Sequence, residues 1–176
     1  MMFKFNPVSA FESYTFCYLH AGNLYMNINK IIASWFGIGY TKGGGTVAAV
    51  VTCLLLYAAQ HYGLLQNVCI LPAATLLITL LGIYVGNQVE ADWGKDSYRV
   101  VIDEVAGQMV ALLFIPLTHT NLLIGLFLFR FFDILKPLGI RKLEKLPAGT
   151  GVMMDDILAG VYANVVLQVI ILVVNQ

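Results

Sequence analysis

Apolar positions in this chain collect into long continuous runs, without the strict alternation of a half-buried strand. Residues 46–65 and 68–89 each supply about the ~20 predominantly apolar residues that a membrane-spanning helix needs. Two shorter runs follow, 105–117 and 122–135, separated by the polar turn Thr118-His119-Thr120-Asn121. At about 1.5 Å per residue, the first of these covers only about 20 Å of a ~30 Å hydrocarbon core. Either that helix begins earlier, near Val100, and carries Asp103 and Glu104 into the interface, or the hairpin only dips into the bilayer. A fifth run, 157–174, again has nearly spanning length. The pattern predicts an all-α fold, a polytopic membrane bundle of about five helical elements, some of them short or interfacial.

Following the chain through those elements from the side that holds residues 1–45 places every Lys, Arg, Asp and Glu on that side or at helix ends facing it. The opposite turns hold only uncharged polar residues, with His61 and His119. Because Lys and Arg are retained in cytoplasmic loops, the charged side is expected to be cytoplasmic and Asn175-Gln176 to lie outside. Acidic residues contribute little to topology, so this rule accounts for the ten cations and leaves the ten carboxylates unexplained.

Composition supports a membrane protein: 59% of the 176 residues are hydrophobic and 11% charged, against roughly 25% charged in soluble domains. Charges balance, so there is no general basic surface and a nucleic-acid partner is not expected. No linker or composition break divides the chain, which reads as one membrane domain over 31–176 preceded by an extension, 1–30, of unknown role. The first twenty residues lack the apolar core of a signal peptide, and the N-terminus is expected to stay in the cytoplasm. Cys17, Cys53 and Cys69 form no CxxC pair, and the apolar surroundings of two of them suit a small hydrophobe.

Four clusters fall at the charged face, each beside the end of a predicted helix. The first, Gly37 to Thr46, is a glycine-rich turn leading into the first spanning run. Its backbone amides and the helix N-terminus suit an anion, with Gly45 and Thr46 as phosphate-contact candidates. Glycines are also common in membrane turns and in close helix packing, and the Lys-Ser/Thr pair of a Walker loop is missing. The second is Asp103-Glu104, opening an apolar helix where carboxylates would complement its dipole. In the third, Arg130, Asp133 and Lys136 are spaced three apart before Pro137, a spacing that also allows an i,i+3 ion pair. The fourth is Asp155-Asp156, preceded by Gly149 and Gly151; capping a helix would need one acidic residue, not two.

Together these clusters bring five carboxylates, Asp103, Glu104, Asp133, Asp155 and Asp156, to neighbouring helix ends in a chain that otherwise avoids charge. Carboxylates so crowded repel unless a cation neutralises them. Mg²⁺ is the natural candidate, because it takes a few hard oxygen ligands and leaves positions for water and phosphate oxygens. Soft-metal ligand spacing is missing, as no His or Cys pairs suitably. All five carboxylates are therefore candidate metal ligands and catalytic groups, and Arg130 and Lys136 candidate phosphate-binding cations. That set predicts hydrolysis of a phosphorylated lipid at headgroup depth, through a carboxylate-activated water or by direct aspartate attack. The alternative is a cation transporter or channel component using the carboxylates as ion ligands. Its pathway would ordinarily place ionisable groups near the membrane midplane.

With these motifs in view, the chain resembles the phosphatidylglycerophosphatase A family of bacterial lipid phosphatases over about 31–174. The resemblance rests on Asp-Glu-x-x-Gly at Asp103 to Gly107, Phe-Arg-x-x-Asp-x-x-Lys-Pro at Phe129 to Pro137, and Gly-x-Gly-x-Met-x-Asp-Asp-x-x-Ala-Gly at Gly149 to Gly160. Asp96 also falls where the family usually has an acidic residue. The first motif departs from the family, with Gly44-Gly45-Thr46 following a shorter turn that carries Lys42. The resemblance implies Mg²⁺-dependent hydrolysis of phosphatidylglycerophosphate to phosphatidylglycerol in the bacterial cytoplasmic membrane.

Overall fold

The computed structural model describes residues 28–95, 97–137, 139–146 and 148–174. Five long apolar or amphipathic segments form α-helices: α1 (Gly44–His61), α2 (Ile70–Trp93), α3 (Ile102–Ala111), α4 (His119–Leu135) and α5 (Ala148–Val174). A helical stretch at 28–33 and 3-10 turns at Ile38–Tyr40 and Ile140–Lys145 complete the secondary structure, and no strand occurs among the described residues. Each predicted run thus contains a helix. Three of them, α1, α2 and Gly149–Val174 within α5, are long and apolar enough to cross a membrane.

The short third run has a definite form. Helix α3 starts at Ile102, carries Asp103 and Glu104 in its first turn and stops after ten residues. It measures about 15 Å and cannot span a ~30 Å core. It lies against α1, α2, α4 and α5, and every residue from Val105 to Leu112 is buried. Its C-terminal end therefore stops inside the bundle, where open carbonyl groups need a partner from protein. Asn164 of α5 supplies it, donating from Nδ2 to Ala111 O at 3.1 Å and to Leu113 O at 2.9 Å. The chain then reverses, and Thr118 caps α4 by accepting a hydrogen bond from the Asn121 amide at 3.3 Å.

Helix α5 starts at Ala148, well before the apolar run at Ile157, so the Asp155-Asp156 pair sits inside the helix and does not open it. The reason is close packing. Gly149 lies against Gly86 and the Asn87 amide of α2, where a methyl group would clash, and its own N–H donates to Asn87 Oδ1 at 2.9 Å. The glycine that precedes the acidic pair in the sequence serves here as part of a helix-crossing surface. Farther along, Gly107 of α3 fits against the Phe129 ring and the Asp156 carbonyl, and Gly160 fits against the Gly107 carbonyl. This close approach brings α3, α4 and α5 together at one level.

Helices α1, α3 and α5 begin, and α2 and α4 end, at the same end of the bundle. A Lys30 to Asp92 ion pair of 2.6 Å and a Val101 N–H to Ala33 O bond of 2.9 Å hold the 28–33 stretch there. At the far end Tyr57 Oη and His119 Nε2 lie 3.1 Å apart. No Lys, Arg, Asp or Glu occupies that far end among the described residues.

Candidate active site

Three helices deliver the five carboxylates to one network. The first turn of α3 supplies Asp103 and Glu104, the last turn of α4 supplies Asp133, and α5 supplies Asp155 and Asp156. Oxygens of Asp103, Glu104 and Asp156 lie within 4.8 Å of one another. Asp156 also faces Asp133, whose charge is felt by Asp155. Asp103 Oδ1 accepts from the Glu104 amide at 3.1 Å, and Asp155 Oδ1 accepts from the Asp156 amide at 3.0 Å. Each of these two aspartates is thereby fixed by the backbone of its neighbour.

The two expected cations join the same network. Arg130 Nη1 stands 2.6 Å from Asp133 Oδ2 and 3.8 Å from Glu104 Oε1, so the i,i+3 pair allowed by the spacing is formed and extends across to α3. Arg130 Nε is buried without a hydrogen-bond partner. Lys136 Nζ donates to Asp155 Oδ2 at 2.6 Å. Lys136 ends α4 with φ 46 and ψ 54, a left-handed conformation unusual for a residue with a side chain and directly before a proline. Strain of this kind persists only where surrounding contacts hold it, and here it turns the lysine toward α5.

Water has little access to the trio. Asp103 is 6% exposed and Asp156 4%, and Glu104 Oε2 is buried with no hydrogen-bond partner. Burial, followed by the charge of Glu104, pushes the Asp103 carboxyl well above its ordinary range. Burial also pushes Glu104 up, against the opposing pull of a hydrogen bond from Asp103 and the charge of Arg130. Such a cluster needs protons or a cation to persist. Its oxygen-only donor set, with one buried oxygen unsatisfied, fits a hard cation such as Mg²⁺ better than a thiolate- or imidazole-seeking metal.

The glycine turn also reaches the cluster. Gly43, at φ 71, turns the chain into α1 in a conformation that favours glycine. Two residues on, Gly45 lies against the Glu104 carboxylate so closely that a Cβ there would overlap it. Thr46 is exposed, and no hydrogen bond joins it to the carboxylates. Asp96 lies outside the described residues. Gln108 escaped the sequence reading: it is fully buried, and neither polar atom of its side chain has a hydrogen-bond partner. Its spacing of four from Glu104, on the same helical face, was the available signal.

Fold and site together define a class: an all-helical membrane protein with a buried carboxylate network and two paired cations at one end of its bundle. Comparison with known proteins supplies the family, since the phosphatidylglycerophosphatase A profile matches residues 31–171. A Haemophilus influenzae phosphatidylglycerophosphatase A is 36% identical over 148 residues, covering 80% of this chain and 87% of the relative. The Escherichia coli phosphatidylglycerophosphatase A is 33% identical over 93 residues, 51% of this chain and 54% of its own. A Bacteroides thetaiotaomicron protein, provisionally named a phosphatidylinositol-3-phosphatase, is 38% identical over 144 residues, 79% of this chain and 91% of that protein. The chain belongs to the phosphatidylglycerophosphatase A family, a family of phosphoric monoester hydrolases. No solved structure matches it.

Proposed function

We propose that this protein removes the terminal phosphate of phosphatidylglycerophosphate, yielding phosphatidylglycerol and inorganic phosphate. The bacterial cytoplasmic membrane would hold it, with the site on the cytoplasmic face. The carrying observation is the approach of Asp103, Glu104 and Asp156 oxygens within 4.8 Å, with Arg130 beside them. Those three residues would hold Mg²⁺, which when bound supplies charge stabilisation to a transferring phosphoryl group.

The remaining chemistry belongs to the chain. Arg130 offers its buried, unbonded Nε–H to a phosphoryl oxygen, and its ion pair with Asp133 keeps the guanidinium at the right depth. Lys136, held by Asp155, adds a second positive charge. Gly45 gives room for Glu104 and for backbone near the headgroup. A carboxylate of the network orients or deprotonates the attacking water, or an aspartate attacks directly. Residues 31–176 would form the one catalytic membrane domain, with 1–30 outside it. The network sits at one end of the bundle, whereas ion pathways favour the midplane, so hydrolysis accounts for it better than transport.

The test is phosphate release by purified protein in detergent from phosphatidylglycerophosphate and, in parallel, from phosphatidylinositol 3-phosphate. Release from the first with Mg²⁺, its loss on chelation and its return on re-addition is the expected result. Release only from the inositol lipid would replace the substrate, and no release from either would overturn the enzyme reading.

A further inference from the structure

We propose that the groove between α1 and α4 receives an acyl chain of the phospholipid whose phosphate occupies the carboxylate site. This rests on the lipid phosphatase reading above. The groove is lined by Val50, Cys53 and Leu54 of α1 and by Leu122, Leu123 and Leu126 of α4, and has a volume of about 300 Å³. Cys53 and Leu122 form a buried floor, each 7% exposed, where Cys53 Sγ approaches Leu122 O at 4.0 Å. Leu54 and Leu123 form exposed rims. Tyr57 and His119 close the far end, with their polar atoms turned on each other at 3.1 Å.

Continuity with the site identifies the occupant. Both walls run up to it: α1 carries Gly45, which lies against Glu104, and α4 carries Arg130, whose Nη1 is 3.8 Å from the same carboxylate. At about 1.5 Å per residue, Val50 lies about 7.5 Å below Gly45 and Leu126 about 6 Å below Arg130. Tyr57 and His119 lie about 18 and 16.5 Å below those same residues. The groove thus starts beneath the phosphate position and runs on to the Tyr57–His119 pair at the far end of the bundle. Its volume stands at the low end for ligand pockets, and its walls offer only apolar side chains above the closed end. A single unbranched hydrocarbon chain meets both conditions, whereas a polar headgroup would leave its polar groups unpaired against those walls.

The experiment compares dioleoyl and dihexanoyl phosphatidylglycerophosphate as substrates for the unchanged protein and for Val50→Trp and Leu126→Trp, which fill the upper groove. Leu77→Trp on the exposed surface of α2 is the control. The groove variants are expected to lose tenfold or more in kcat/KM for the dioleoyl lipid, to stay within twofold for the dihexanoyl lipid, and the control to match the unchanged protein on both. Equal loss on both substrates, or no loss on either, would overturn the groove's role. A second measurement needs no variant: a lipid phosphate with a photoreactive acyl chain should label α1 and α4 groove residues, and unlabelled substrate should suppress the labelling. Labelling that bulk phospholipid suppresses equally well would mark ordinary surrounding lipid and overturn the proposal. If the unchanged protein released no phosphate from either lipid, the enzyme reading itself would fall, an outcome distinct from release with an indifferent groove.

Discussion

Glu104 is approached from three helices: Gly45 of α1 presses on its carboxylate, Arg130 of α4 stands 3.8 Å away, and Asp156 of α5 shares its oxygen cluster. Asp103→Asn, Glu104→Gln and Asp156→Asn each keep the size of the side chain and remove its charge. Each is expected to lower phosphate release by about 10²–10³-fold, because the cation these carboxylates would hold is what stabilises the transition-state charge. Unchanged helical circular dichroism and gel-filtration behaviour would show that folding survives; wild-type rates in all three would remove the cluster from the chemistry. The same residues make stability depend on pH. Because burial raises Asp103 and Glu104, the cation-free folded protein binds more protons than the unfolded chain between the ordinary carboxylate range, about 4, and the raised values. Its stability is therefore fullest below that range and declines as pH rises through the window. A cation takes over from the protons, so Mg²⁺ should raise the thermal unfolding midpoint more at neutral pH than near pH 4–5. An equal effect of Mg²⁺ at both pH values would contradict this linkage.

Among the elements, the tight crossing of α3 with α4 and α5 depends on hydrogen-sized gaps. Gly107→Ala puts a methyl group into the Phe129 ring and the Asp156 carbonyl, and overpacking of this kind costs about 1–3 kcal/mol. A lowered unfolding midpoint in detergent is expected. Gly45→Ala meets only the far end of the Glu104 side chain, which can move, so turnover should fall more than stability. Equal stability loss in both variants would show that Gly45 serves packing alone. The helices themselves were legible because apolar runs of this length have few other uses, and Asp103-Glu104 announced the start of α3. The beginning of α5 was not legible, since Gly149 and Gly151 carry the same letters whether they make a turn or a crossing surface. Its form depends on Gly86 and Asn87, more than sixty positions away. Gln108 and Asn164 were missed for a related reason: a lone amide in an apolar helix shows its purpose only when its neighbours are known.

At the scale of the whole molecule, charge at one end and its lack at the other predict sidedness. Cys69 is exposed, in the turn before α2 at the uncharged end. In intact cells expressing the chain with Cys17→Ser, a membrane-impermeant thiol reagent should label Cys69, and labelling only after lysis would reverse the orientation. The convergence of three motifs on one network was readable as a need, because crowded carboxylates had to meet a cation or each other. Which oxygens approach within 4.8 Å was not readable, because the short length of α3 and the glycine crossings set that depth. The length of α3 also bears on biogenesis. Ten residues are too few to span a bilayer unaided, and the Ala111 and Leu113 carbonyls at the open end of this helix are taken by Asn164 of α5. Before α5 is in place, the segment bearing Asp103 and Glu104 lacks the helix it packs against most extensively. The acidic centre is thus complete only once α5 is in place, and a polypeptide truncated before α5 should insert its early helices and remain inert toward lipid.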